Sequence, residues 1–173
     1  MNAQEAVKQQ LGFWHGILGQ VMADCDTKAL NARLPGASIG SIASIYAHAV
    51  FSEDGIVNGM LQGKQTLYEA GGWEAKTGAK WPGTPPLQRP EWSAAVNMKD
   101  RPAFDEYAKA VYAATEAYVG SLSDADLERK TQGPIGETTV GFMVISILGT
   151  HLTGHAGEIA ALKGVQGMKG LPF

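Results

Sequence analysis

The chain has 173 residues, of which 45% are hydrophobic, and its formal net charge is −3 at pH 7. This length predicts a single domain over residues 1–173 that can bury a sizeable core. The isoelectric point is about 5.8 and no cluster of lysines or arginines occurs, which argues against a nucleic-acid partner or a polybasic membrane surface.

The sequence carries no pattern typical of secretion or membrane insertion. Residues 1–10 are polar and lack the apolar core of a signal peptide. The longest strongly apolar stretch, residues 140–148, is too short to span a bilayer. The lone Cys25 cannot form an internal disulfide and is expected to be an inert, partly buried thiol. We therefore expect a cytoplasmic protein with no membrane partner.

The first two helices are predicted from apolar residues that recur every three or four positions. The first covers residues 4–23; the second begins at Ser38 or Ser41, either of which can cap it, and ends near Gly63. His15 lies off the first apolar stripe and is expected to be a bystander. The two stripes consist of Val7, Leu11, Trp14, Leu18 and Val21, and of Ile42, Ile45, Ala49, Ile56 and Met60.

Residues 63–100 form an unusually long connection, which we call the excursion. Its tryptophans, Trp73, Trp81 and Trp92, favour burial over disorder, so we expect an ordered segment that packs back on the bundle. Two alternatives stay open for these indoles. Either at least one lies within about 12 Å of the functional site and forms a wall of its pocket, or all of them only fasten the excursion to the outside.

Two further helices complete an all-α fold. The third starts at Pro102, and its apolar stripe includes Phe104, Tyr107 and Val111. A capped short turn follows at residues 123–126. The fourth helix is capped by Thr138 or Thr139 and continues to Lys163. Its first half, residues 140–148, is apolar almost all round, as in a central buried helix. No β-strand is predicted.

Three histidines carry the main functional signal. His151 and His155 are four residues apart in the fourth helix, so their Cβ atoms lie on one face, about 5–6 Å apart. Two such imidazoles can chelate one metal ion, and His48, on a different helix, can complete a site with an open coordination position. The alternative is that these are ordinary core or surface histidines.

Glu158 follows the histidine pair on nearly the same helix face. Residues 151, 155 and 158 fall within a wedge of about 60°. Glu158 can therefore accept a hydrogen bond from a ligating histidine, act as a general base, or be an extra ligand. The alternative is a partly solvated carboxylate near a helix end.

Three segments resemble the DinB-like superfamily, which includes the YfiT-like metal-dependent hydrolases, and the resemblance covers nearly the whole chain. They are SIGSIASIYAHAVFSEDGIVNGMLQG, with His48, LSDADLERKTQGPIGETTVG, and HLTGHAGEIAALKGVQGMKGLPF, with His151 and His155. The resemblance implies an up-down-down-up four-helix bundle with one long crossover. It also implies one divalent metal ion, zinc or nickel, bound by His48, His151 and His155.

Two hypotheses follow for the function. The first is a metal-dependent enzyme that acts on a small molecule, either a transferase or isomerase with a low-molecular-weight thiol cosubstrate (mycothiol, bacillithiol or glutathione) or a hydrolase. The second is a non-catalytic metal-binding stress-response bundle. The resemblance also implies a homodimer, for which the sequence adds only Tyr112 and Val119, apolar residues off the main stripe of their helix.

Overall fold

The computed structural model describes residues 2–78 and 90–173, and within them the chain is mainly helical. A π-helical segment, Gly55–Leu61, continues the helix that begins at Ile42, and a second one, Met143–Leu148, leads into the helix that begins at Gly149. The helices are α1 (Ala3–Met22), α2 (Thr27–Asn31), α3 (Ile42–Asp54), α4 (Leu67–Ala70), α5 (Trp73–Thr77), α6 (Pro90–Ala95), α7 (Arg101–Ser121), α8 (Asp124–Glu128), α9 (Val140–Phe142) and α10 (Gly149–Val165).

The long helices α1, α3, α7 and α10 form a four-helix bundle. α1 packs against α7 and α10, and α3 packs against the same two helices. α1 and α3 therefore occupy diagonal positions, although they are consecutive among the four long helices. Their inward faces share one hydrophobic core, which includes Leu11, Phe51, Phe104 and Leu152. The predicted all-α bundle is confirmed.

Side-chain caps determine where most of these helices begin. The Asn2 side chain accepts a hydrogen bond from the backbone amide of Glu5, and the Glu5 carboxylate accepts one from the backbone amide of Asn2. Ser41, not Ser38, caps α3, and Thr139, not Thr138, caps α9. α7 begins at Arg101, one residue before the predicted Pro102, because the Asp100 carboxylate accepts from the Ala103 amide. α8 begins after Ser123.

The prediction that the chain has no strand is wrong. β1 (Lys130–Gly133) and β2 (Gly136–Thr139) form an antiparallel hairpin in which Gly133 is opposite Gly136. Gly136 has a φ of 108°, a value that glycine adopts without strain. The hairpin escaped prediction because KTQG and GETT contain no alternating apolar residues. It leads directly into α9.

The apolar first half of the last helix is not buried on all sides, contrary to the prediction. Val140, Met143 and Leu148 are fully buried, but Phe142 and Ile145 are 40% and 42% exposed. The segment is also π-helical over Met143–Leu148, a geometry that often occurs near functional sites. No helix in the described ranges combines the length and apolar character required to cross a membrane.

The described parts of the excursion pack back on the bundle. The fully buried Asp54 carboxylate accepts hydrogen bonds of 3.0 Å from the amides of Leu67 and Tyr68 at the start of α4. It also accepts one of 2.8 Å from the Tyr107 hydroxyl. Several donors offset the cost of burying this charge, so Asp54 fixes the point where the excursion leaves the bundle.

The tryptophans of the excursion lie against core aromatic rings. Trp73 packs on Tyr107, with ring centroids 5.7 Å apart, and Trp92 packs on Phe51 at 6.0 Å. Both contacts fasten the excursion to the bundle, and an indole within about 12 Å of the histidines stays a prediction. Trp81 and its neighbours at 79–89 lie outside the described residues.

Two residues offered in support of a homodimer contact the interior instead. Val119 is fully buried, and Tyr112 stacks on the ring of His15 with centroids 3.9 Å apart. Their apolar character is therefore explained by packing within the chain. The homodimer stays a prediction that depends on the family resemblance.

Candidate metal centre

The structure brings the three predicted histidines together. His48 lies in the middle of α3 and is 5% exposed, while His151 and His155 lie in α10, the helix that packs against α3. The His151 Nε2 atom is 3.1 Å from the Nε2 atoms of both His48 and His155. One ring nitrogen of each residue lies within 4.8 Å of the other two. The histidine pair on one helix face and the single histidine opposite thus form one cluster.

The donor set fits a metal ion better than a set of hydrogen bonds. The His151 Nε2 atom faces two other nitrogens, but it carries either one hydrogen or one lone pair. It therefore cannot form two full hydrogen bonds at once. A tetrahedral zinc site with bonds of about 2.0–2.1 Å places ligand nitrogens about 3.3 Å apart, close to the 3.1 Å separations here.

The electrostatic surroundings keep two of these imidazoles neutral. Burial, and then the nearby His155, lower the pKa of His48 from 6.5 to about 4. Burial, followed by His155 and His48, lowers the pKa of His151 to about 3. At neutral pH both rings are unprotonated at one nitrogen, which is the form that binds a metal.

Glu158 orients one of the three rings. Its Oε2 atom is 2.6 Å from the Nδ1 atom of His155. Because an ionised carboxylate only accepts, the hydrogen lies on Nδ1 and the lone pair of His155 lies on Nε2, inside the cluster. This contact matches the first of the three roles predicted for Glu158. The carboxylate lies on the far side of His155 from the converging nitrogens.

An open cleft of about 490 Å³ adjoins the cluster. His151, His155 and Glu158 line it together with apolar side chains such as Phe142 and Ile147. The cleft gives solutes a route to the two histidines of α10, as a site with an open coordination position requires.

A second cleft, of about 300 Å³, shares Glu158 with the first. The excursion contributes Pro90 and Ser93 to its walls, and residues before α3 contribute Ser38 and Gly40. The excursion thus reaches the neighbourhood of the site through α6. Within the described residues, no tryptophan lines either cleft.

His15 is not part of the metal cluster and so remains a bystander to it, but its predicted position off the buried stripe of α1 is wrong. His15 is 6% exposed, and its Nε2 atom lies 3.1 Å and 3.2 Å from the two carboxylate oxygens of Glu53. Its Nδ1 atom lies 3.1 Å from Oε1 of Glu116. The spacing of Leu11, His15 and Met22 would have placed His15 on the buried face, because steps of four and seven return to one side of a helix.

Comparisons with known proteins agree with this fold. A sequence model of the DinB superfamily matches residues 15–159, which include all three clustered histidines. A conserved protein from Enterococcus faecalis, known from its crystal structure, is similar with a TM-score of 0.82 and 18% identity. The match covers 96% of this chain and 99% of that chain, and at this identity it supports the fold alone. A search of curated proteins found no match.

Proposed function

Because this chain belongs to the DinB superfamily and brings three imidazoles to one point beside an open cleft, we propose that it is a divalent-metal-dependent enzyme acting on a small molecule. His48, His151 and His155 hold the ion. The observation that carries the proposal is the convergence of their Nε2 atoms, with His151 at 3.1 Å from each of the others. Three imidazole ligands suit zinc or nickel.

The metal supplies Lewis-acid chemistry: when bound, it lowers the pKa of a coordinated water or thiol. The chain's own residues supply orientation and proton transfer. Glu158 holds the Nδ1 hydrogen of His155 and directs the lone pair of that ring into the cluster. Its carboxylate is 43% exposed and borders both clefts, so it can also take a proton from a bound substrate.

The clefts favour a small substrate with an apolar part. Phe142 and Ile147 give the larger cleft an apolar wall that excludes water from one side of the site, and the smaller cleft offers the hydroxyl of Ser38. We propose transfer or isomerisation with a low-molecular-weight thiol cosubstrate as the reaction, and hydrolysis as the second candidate. The open cleft supports an enzyme over a non-catalytic metal-binding bundle.

Metal analysis tests the proposal directly. The protein is purified without a nickel column, loaded with zinc or nickel, and compared with His155→Ala and with the control Thr153→Ala on the same helix. We expect about one ion per chain in the wild type and control, and loss of most metal in His155→Ala, with helical circular dichroism unchanged in all three. Equal metal content in wild type and His155→Ala would contradict the site.

Activity assays then separate the two functional hypotheses. Metal-loaded protein is incubated with electrophiles and with glutathione, bacillithiol or mycothiol, and separately with hydrolysable esters and amides. Consumption of thiol that depends on both metal and His155 supports the transferase. If the chain binds metal, turns over none of these substrates and unfolds on chelation, the non-catalytic bundle is the better description.

A further inference from the structure

A second buried histidine, away from the metal centre, joins three of the four long helices. His15 of α1 lies between Glu53 of α3 and Glu116 of α7, and each carboxylate meets a different ring nitrogen. The two carboxylates differ in hydration. Glu53 is fully buried, whereas the side chain of Glu116 is 34% exposed. The ring of His15 therefore connects α1 to a buried carboxylate of α3 and to a partly exposed carboxylate of α7.

The other charged groups nearby form pairs among themselves. Asp105 lies 2.9 Å from Arg101 and accepts a 3.1 Å hydrogen bond from the Tyr46 hydroxyl. Lys109 pairs with Glu106 at 2.7 Å. Within the described parts of the chain, the proton of His15 is thus the positive charge that contacts Glu53 and Glu116, and a buried carboxylate is costly without such a partner.

Solvent can reach this cluster. A cleft of about 280 Å³ lies between α1, α3 and α7, and His15, Tyr46 and Tyr112 are among its walls. Glu116 also remains partly exposed. Protons can therefore exchange with His15 without unfolding of the bundle.

We propose that His15, Glu53 and Glu116 form a proton-operated clasp between α1 and α7. In the closed state both ring nitrogens of His15 carry hydrogens, and they donate to Glu53 and Glu116. When pH rises, the Nδ1 proton leaves to solvent and the neutral ring keeps its Nε2 hydrogen on Glu53. The Glu116 carboxylate, now facing a lone pair, turns outward into water, so the link between α1 and α7 opens while the link between α1 and α3 stays.

The two carboxylates make the Nδ1 proton leave at a higher pH than the proton of an ordinary histidine. Burial lowers the pKa of His15, but the hydrogen bonds and charges of Glu53 and Glu116 outweigh burial and raise it above 6.5. The proton leaves Nδ1 and not Nε2 because the two carboxylates differ in exposure. The buried Glu53 would lose its donor with no water to replace it, whereas the partly exposed Glu116 can accept a hydrogen bond from water. The titratable groups that face the cluster are Glu53 and Tyr46 from α3, and Asp105, Lys109, Tyr112 and Glu116 from α7.

Nuclear magnetic resonance of the metal-loaded protein tests the clasp. The ring nitrogens of His15 are followed from pH 5.5 to 9.5 in the wild type, in Glu116→Gln and in Glu106→Gln. Glu106→Gln is the matched control, because it removes the same charge from an exposed position of the same helix. In the wild type we expect a midpoint above 6.5 and the Nε2–H tautomer beyond it.

Glu116→Gln should lower the His15 midpoint and remove the pH dependence of the contact between α1 and α7. Its neutral amide can accept from a protonated Nδ1 or donate to an unprotonated one, so the α1–α7 contact no longer depends on pH. We expect its His15 midpoint to fall by about one pH unit, since an opposite charge at this range shifts a pKa by about 1–3 units. Hydrogen exchange at the facing turns of α1 and α7 should then rise with pH, beyond its intrinsic rate, in the wild type but not in this variant.

The proposal is overturned if wild-type His15 titrates at or below 6.5, if its neutral form carries the hydrogen on Nδ1, or if Glu116→Gln titrates like the wild type. A midpoint that moves equally in Glu106→Gln also overturns it, because a general charge effect would then explain the shift. None of these outcomes depends on whether the metal centre is catalytic, since His15, Glu53 and Glu116 contact none of the three clustered histidines in the described structure.

Discussion

The two histidine clusters of this bundle have opposite electrostatics. At the metal centre, imidazoles face imidazoles, and burial together with the neighbouring rings lowers the pKa values of His48 and His151 to about 4 and about 3. At the other cluster, His15 lies between two carboxylates that raise its pKa. Burial opposes charge on the imidazole in both clusters, so the partners decide whether it carries a proton.

This difference separates a ligand site from a charged link. Neutral rings offer lone pairs, which a cation can use, whereas a protonated ring offers only hydrogens, which carboxylates can use. The helix α3 takes part in both, because His48 faces α10 and Glu53 faces α1. Breaking one cluster at a time should therefore change metal binding and bundle stability separately.

The largest expected effect is on stability, from removal of the charged partner at the second cluster. His15→Ala leaves the fully buried Glu53 without its donor, and such a loss costs about 3–5 kcal/mol in the free energy of unfolding. Urea unfolding at pH 6 measures it, with the exposed Gln9→Ala on the same helix as control, for which we expect a change within about 0.5 kcal/mol. A His15→Ala protein as stable as the control would show that the buried Glu53 does not depend on His15 as its donor.

A smaller effect is expected at the metal centre when the orienting carboxylate is removed. Glu158→Ala leaves the Nδ1 hydrogen of His155 without its acceptor, and removal of such partners lowers metal affinity by about 10–100-fold. Glu158→Gln keeps an acceptor oxygen and should lose less. Isothermal titration with zinc compares the three proteins. Equal affinities would mean that Glu158 does not orient the ring.

The two clusters should also give the metal-free protein opposite pH dependences. The folded pKa of His48 is lowered, so its contribution to stability falls as pH drops from about 6.5 toward 4. The folded pKa of His15 is raised, so its contribution is complete below about 6.5 and is lost as pH rises through the folded value.

Urea unfolding of chelated protein from pH 4.5 to 9 should therefore show greatest stability near neutrality. The acid side should fall by up to about 1.4 kcal/mol per pH unit for each histidine that titrates. Zinc should raise stability near neutrality but steepen the acid-side decline, because the bound imidazoles take up no protons while those of the unfolded chain do, and it should leave the slope of the alkaline side unchanged. Identical pH profiles with and without zinc would contradict the separation of the two clusters.

The sequence predicted the metal centre better than the charged cluster, for a physical reason. His151 and His155 are four residues apart in one helix, so local periodicity alone places them together. His48 lies in a segment of the sequence that resembles the DinB superfamily. The His15 contacts join positions 38 and 101 residues apart, and only the packing of three helices brings them together. The helix starts at Ser41 and Thr139 were among the predicted caps, whereas the polar hairpin had no apolar pattern to reveal it.

The smallest expected effect concerns the space beside Glu116. Gly12 and Gly16 both lie inside α1, where alanine is more favourable than glycine by about 0.5–1 kcal/mol. A Cβ atom at Gly12 would lie 3.4 Å from Oε1 of Glu116, whereas one at Gly16 would have no neighbour within 4 Å among the described residues. Gly16→Ala should therefore gain the full increment in unfolding free energy. Gly12→Ala should gain as much, because its Cβ atom would meet Glu116 only at an ordinary van der Waals distance, and the His15 midpoint should not move. A smaller gain in Gly12→Ala, together with a lower His15 midpoint, would instead show that the added methyl group pushes the Glu116 carboxylate away from His15.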